Sequence, residues 1–148
     1  MLTDADMPAG YRLTQATAEL LDIEDERRPE FRIEAGLTVD GRLSFKVQAE
    51  DLDDRSRSVV RGKVLFDLMM RHWGVDAIRI VATFWGPRST NLADFNRLTR
   101  AGLSNEAAAK ETWTGLRLKD YGYMNLLEKV DAIGGPGAYG TVRSIFCR

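Results

Sequence analysis

From Phe31 onward, apolar and polar residues alternate. Phe31, Ile33, Ala35 and Leu37 are interleaved with Arg32 and Glu34, the two-residue period of a strand with one buried face. Asp40-Gly41 follows, a pair suited to a hairpin turn because both positions tolerate positive φ. Leu43, Phe45, Val47 and Ala49 then alternate with Ser44, Lys46 and Gln48. The pattern predicts a β-hairpin over residues 31–49 and a polar loop from Glu50 to Arg57.

The period then changes. Val60, Val64, Leu65, Leu68, Met69 and His72 recur at helical spacing and predict a helix from a Ser58 cap to about Trp73, closed by Gly74. Ala77 to Trp85 reads as a third strand, with Ile78, Ile80, Ala82 and Phe84 on one face and Val81 on the other. Thr90 or Asn91 caps a short helix to about Arg100 that turns Leu92, Phe95 and Leu98 inward. Ser104 caps a third helix through about Lys119, and Gly122 ends it. Met124 to Val130 reads as a fourth strand and Tyr139 to Phe146 as a closing one, with a turn at residues 133–137.

The predicted order is β-β-α-β-α-α-β-β. This is an α+β fold with a mixed or antiparallel sheet of four to five strands and about three packed helices. The link from residue 85 to 124 is long enough for a parallel crossover. Residues 1–30 read as a flexible arm or linker before a single domain at 31–148. Met7-Pro8-Ala9-Gly10 is a turn signal, residues 24–30 form a charged run, and residues 16–21 read as a short helix between them.

Composition narrows the chemistry. A chain of 148 residues can bury roughly 70% of its unfolded surface without a metal or disulfide. The single cysteine, Cys147, rules out a disulfide within the chain and a cysteine-built zinc site, and the single histidine, His72, removes two-histidine metal motifs. No metal is expected. Net charge is −1, which gives no global attraction to nucleic acid or anionic membrane. No apolar run approaches the ~20 residues that span a bilayer, so membrane insertion is not expected. The N-terminus has no basic stretch followed by an apolar core. The chain therefore reads as cytoplasmic, as delivered into a target cell without a cleavable signal, or as a piece of a larger protein.

One set of segments carries a resemblance: Trp85; Asn91-Leu92 with Phe95-Asn96; Gly102-Leu103-Ser104 with Ala107-Ala108; Thr112-Trp113-Thr114-Gly115; Tyr121-Gly122-Tyr123; and Gly137-Ala138-Tyr139 with Val142 and Phe146. Together they resemble the C-terminal tail (toxin or effector) domain of bacterial polymorphic toxins of the Rhs/YD-repeat type. The likeness covers about residues 75–148, and its most specific parts are the NLxxFN and TWTG segments. The chain has no repeat-bearing carrier or autocleavage segment and begins with Met, so it reads as an excised domain or a stand-alone relative. The resemblance implies an effector used in interbacterial competition, with a cognate immunity protein as partner. It also implies a nucleotide, NAD or nucleic-acid substrate, with NAD as substrate rather than cofactor.

The candidate residues each carry two readings. Asn91 and Asn96 lie five apart, about 500° of helix rotation, so they point some 140° apart. Either Asn91 caps the helix and Asn96 bonds to backbone, or one of them orients a substrate carbonyl or ribose hydroxyl. Thr112 and Thr114 either bond back to carbonyls, with Gly115 admitting a close strand, or supply hydroxyls beside a base stacked on Trp113. Trp85 joins Trp113 as a candidate substrate-binding residue. Arg61-Gly62, Ser89-Thr90 and Glu128 occur in the order used by ADP-ribosyltransferases of the arginine–serine–glutamate type, with Arg61 on phosphate and Glu128 at the reacting sugar. His72 reads as a cation at a helix C-terminus or a partner of Trp73, and otherwise as a general base. Arg55, Arg57, Arg61, Lys63 and Arg71 could form a basic edge for phosphate, but Asp51, Asp53 and Asp54 flank them. Enzymatic activity is thus left open. The second hypothesis is a non-enzymatic protein-interaction module, either immunity-like or an adaptor, marked by an exposed apolar patch.

Overall fold

The computed structural model describes residues 1–49 and 55–148, with side chains from residue 60 onward in the second stretch. The expected loop at Glu50, with Asp51, Asp53 and Asp54, falls outside the described residues, as do the side chains of Arg55 and Arg57. The chain divides into two compact units, Met1–Arg79 and Ile80–Arg148. The expected division at residue 30 falls within the first of them.

The first unit is an antiparallel meander of β1 (Tyr11–Ala16), β2 (Leu20–Asp25), β3 (Arg32–Leu37) and β4 (Arg42–Gln48), with one helix, α1 (Arg55–Trp73). The hairpin predicted over 31–49 is β3–β4. Gly41 makes its turn with φ 84°, and a Cβ there would stand 2.9 Å from the Ala77 carbonyl oxygen, so glycine is required on both counts. One sheet face carries Leu21 and Ile23, which register with Ala35 and Ile33, then Leu43. All five are buried, and so are Leu65, Phe66 and Met69 of α1. The Phe45 and Phe66 rings meet edge to face at 5.6 Å.

Residues 1–30 are therefore not an arm, and residues 16–21 are not a helix. Leu21-Asp22-Ile23-Glu24 alternates as a strand, and its acids are neutralised across the sheet. Arg12 of β1 donates from Nε to Glu24 at 2.9 Å, and Arg32 of β3 donates from Nε to Asp22 at 3.2 Å. Cross-strand pairs of opposite charge stabilise a sheet face that would otherwise read as a solvated loop.

Helix α1 starts at Arg55, so Ser58 lies within it rather than capping it. Gly74 ends it as expected, with φ 79°. Val60 is exposed, while Phe66 and Met70 join the buried face.

The second unit runs β5 (Ile80–Trp85), α2 (Thr90–Arg100), α3 (Asn105–Lys110), α4 (Trp113–Asp120), β6 (Asn125–Leu126), β7 (Asp131–Ile133) and β8 (Thr141–Cys147). Strand β8 is central, with β5 along one side and β6 and β7 along the other, all antiparallel to it. So β5 and β6 run parallel to each other without being neighbours. Of the expected strand Met124–Val130 only Asn125–Leu126 is strand, as β6, and a bulge separates it from β7. Four residues, 127–130, stand opposite Ser144 and Ile145, so two are extra.

On β5 the face expected to carry Ile80, Ala82 and Phe84 is buried only at its Ile80 end. Val81, Thr83 and Trp85 are buried, and Phe84 is exposed. Among the described residues the fold is α+β with eight strands rather than four to five, and with four α-helices, because the segment expected to be one helix from Ser104 to Lys119 breaks at Thr112.

Candidate functional site

The segments singled out in the sequence converge on α2. Ser89, not Thr90 or Asn91, caps this helix, its Oγ accepting from the Leu92 N–H at 3.4 Å. Asn91 is freed for another task. Its Oδ1 accepts the Thr114 N–H at 2.8 Å, and its Nδ2 donates to Thr114 Oγ1 at 2.8 Å. One turn on, Asp94 Oδ2 accepts the Trp113 N–H at 3.0 Å. Thr112 takes the next donor, its Oγ1 accepting from Gly115 at 3.1 Å and donating to the Ala109 carbonyl at 2.8 Å.

The first N–H groups of a helix have no partner within it. In α4 the N–H groups of residues 113, 114 and 115 are satisfied by Asp94, Asn91 and Thr112, and Leu116 opens the intrahelical ladder on the Thr112 carbonyl. The TWTG segment is thus a helix start capped largely by another helix. Gly115 is required there, since a Cβ would fall 2.4 Å from the Ala109 oxygen. It is the backbone of α3 that approaches, not a strand.

The opposite end of α2 grips the glycine-rich loop before β8. Asn96 Oδ1 accepts the Tyr139 N–H at 2.7 Å, and Asn96 Nδ2 donates to the Tyr139 carbonyl at 3.0 Å. Thr99 Oγ1 accepts the Gly137 N–H at 2.9 Å, and Arg100 donates to the Gly137 carbonyl at 2.7 Å. Asp94, Thr99 and Arg100 went unnoticed in the sequence. The three-residue step from Asn91 to Asp94 was the available signal for the first of them.

Trp85 is buried and packs on Phe95, which in turn meets Tyr139. Trp113 is half-buried beneath the Arg117 guanidinium, 5.7 Å from its ring centre. Met124, Leu127, Phe84 and Ile133 are the large apolar side chains left exposed in this unit. A concavity of about 370 Å³ beside the bulge is lined by Asn105, Lys129, Val130, Asp131 and Ala132, none of them a candidate site residue.

The residues in ADP-ribosyltransferase order fall on different elements. Arg61, on α1 of the first unit, is buried. Its Nε donates to Asp25 at 3.1 Å, its Nη1 donates to the Ala49 carbonyl at 3.2 Å, and its guanidinium lies 4.1 Å over the Phe31 ring. Ser89-Thr90 opens a helix rather than forming a strand. Glu128 is exposed in the bulge.

His72 is also committed. Its Nδ1 accepts the Leu2 N–H at 3.1 Å, and its Nε2 lies 2.8 Å from the Thr17 carbonyl, so the ring is neutral with the proton on Nε2. Burial holds its pKa below 6.5, which replaces the expectation of a helix-terminal cation. It does meet Trp73, edge-on at 4.6 Å. Of the expected basic edge, Lys63 pairs with Asp67 and Arg71 with Asp6.

Among the described residues no group of three or more His, Cys, Asp or Glu could hold a metal ion, and no helix is long and apolar enough to cross a membrane. No family model, curated protein or solved structure matches the chain.

Proposed function

We propose that the chain is a protein-interaction module, immunity-like or adaptor in kind, that binds a partner protein through the outer sheet face of its second unit. The observation that carries this reading is the row of registered residues on that face. Phe84 of β5 stands opposite Arg143 of β8, which stands opposite Asp131 of β7; Ile133 stands opposite Thr141 one step along. Phe84 is 58% exposed and Ile133 68%. The Arg143 guanidinium lies 4.9 Å from the centre of the Phe84 ring. Aromatic and arginine side chains are the types that anchor protein interfaces. Trp85, next in sequence, faces the other way onto Phe95.

The effector reading, with a nucleotide, NAD or nucleic-acid substrate and an immunity partner, rests on the resemblance alone. Of the polar groups it would use, Asn91, Asn96, Thr112 and Thr114 hold α4 and the 137–139 loop in place.

The test is a photo-reactive residue placed at Phe84, at Ile133 and, as a control, at the exposed Arg97, in the full chain expressed in bacteria. Discrete adducts from positions 84 and 133 but not 97 are expected, with growth unaffected. Adduct mass separates a second copy from another protein. Equal labelling at all three positions, or growth arrest relieved by a folded Trp113→Ala variant, would overturn the proposal and return the chain to the effector class.

A further inference from the structure

Three consecutive residues at the end of α1 each hold a different piece of the N-terminal region. Arg71 donates to Asp6 at 2.9 Å. His72 accepts from the Leu2 N–H and donates to the Thr17 carbonyl. Trp73 donates from its indole to the Ala18 carbonyl at 2.8 Å. The segment so held is folded in itself: Asp6 Oδ2 accepts from both the N–H and the hydroxyl of Thr3, and the Leu2 side chain is buried.

His72 is the one member of this set that must change its bonding when it gains a proton. The Thr17 carbonyl can only accept, so the ring must donate from Nε2. The Leu2 N–H can only donate, so Nδ1 must be bare. A proton added to Nδ1 would face the Leu2 N–H, donor against donor, while the bond to Thr17 would survive.

We infer that His72 is a proton-operated latch, which holds segment 2–6 on α1 when the ring is neutral and releases it when the ring is protonated, leaving the β1–β2 turn attached. The charged groups around the ring do not reverse this. The Met1 amino group disfavours the imidazolium further. Asp6, held below 3.8 mainly by the Thr3 hydrogen bonds, stays ionised through the histidine range, so its pairing with Arg71 adds no pH dependence of its own there. Glu19, in the turn beyond Thr17, is exposed. Burial lowers the closed-state pKa, so the closed form binds fewer protons than the open one. The latch is therefore fully held above about pH 6.5 and weakens as pH falls below it. Taking 6.5 for the open state, the opening constant rises by up to about tenfold between pH 7.5 and 5.5.

The experiment is nitrogen-15 NMR on the full chain from pH 7.5 to 5. The expected result is an Nε2–H tautomer for His72 at the upper end. Towards the lower end, the Leu2 and Thr3 amides should move to exposed-chain positions with the same midpoint as the ring nitrogens, while the Ala18 to Leu21 amides hold. His72→Gln, neutral throughout, should abolish the movement. Amides of residues 2–6 that stay fixed while the ring titrates, or a movement that persists in a folded His72→Gln variant, would overturn the latch. If that variant does not fold, the shared midpoint in the wild-type chain decides.

Discussion

The side-chain amide of Asn96 pairs with the backbone of Tyr139 as a strand would, accepting its N–H at 2.7 Å and donating to its carbonyl at 3.0 Å. Asn91 makes a similar two-bond ring with Thr114, but there one partner is a hydroxyl. That difference separates two otherwise equivalent substitutions. Asn91→Asp keeps the acceptor for the Thr114 N–H, and the Thr114 hydroxyl can rotate to donate to the new carboxylate. Asn96→Asp sets a carboxylate against a carbonyl that cannot reverse. Alanine at either position should cost about 1–3 kcal/mol in urea unfolding, through the orphaned N–H. Aspartate at 96 should cost at least as much, and aspartate at 91 clearly less. The Asn96→Asp carboxyl needs its proton to donate to Tyr139, so its native pKa lies above the unfolded value. Its deficit should then shrink as pH falls towards that value, about 3.9. Equal costs for the two aspartates at pH 7 would contradict these roles.

Glycine to alanine within a helix ordinarily stabilises. At Gly115 the reverse is expected, because the new methyl group would sit 2.4 Å from the Ala109 oxygen and 2.7 Å from the Lys110 carbonyl, both backbone atoms. Gly115→Ala should cost about 3 kcal/mol or more, by forcing α4 off α3. Gly135→Ala, with nothing within 4 Å, should stay within about 0.5 kcal/mol. Thermal melts of the two variants side by side check the contrast.

Where burial followed local periodicity, the sequence was readable. The β3–β4 hairpin, Gly74 at the end of α1 and the buried pair Leu92 and Phe95 all follow from residue spacing. What was not readable depended on partners far along the chain. Asp22 and Glu24 read as part of a solvated region because Arg12 and Arg32, which neutralise them, belong to other strands. Phe84 was grouped by alternation with Ile78 and Ile80, but it is exposed, and Thr83 beside it is buried and donates to the Ser144 carbonyl. Asn91 was read as a cap, and it does cap, but for a helix 22 residues further on. The TWTG segment holds residues that local helix propensity would not choose. Its cause is the junction of α3 with α4, which no spacing rule describes.

Among the described residues of the first unit Arg61 is the buried cation, and its neighbours predict how substitution will read. Arg61→Ala removes the partner of Asp25 and the donor to the Ala49 carbonyl, and uncovers Phe31. Asp25 keeps the Arg27 and Arg28 N–H groups, at 2.9 and 3.1 Å, so the loss should fall near the lower end for a broken buried pair, about 3 kcal/mol. Arg61→Lys keeps the charge but not the planar fork that reaches Asp25 and Ala49 together while lying on the ring, and should recover less than half of that. Urea unfolding of the two variants measures both. Full stability in Arg61→Ala would mean the guanidinium is not tied into the fold, and would reopen its assignment to a ligand.

Thr112 and Asn91 hold adjacent donors of the same helix start, so their contributions should not add. Thr112→Val removes an oxygen that both accepts from Gly115 and donates to Ala109, and should cost about 1–2 kcal/mol, while Thr112→Ser should stay within about 0.5. Once either capping acceptor is lost, the first turn of α4 frays, and the second bond has less ordered structure to support. A double-mutant cycle on Thr112→Val and Asn91→Ala should therefore show the pair costing at least about 0.5 kcal/mol less than the sum of the singles. Additive costs would mean that the two caps act on independent turns, contrary to the single junction at residues 112–115.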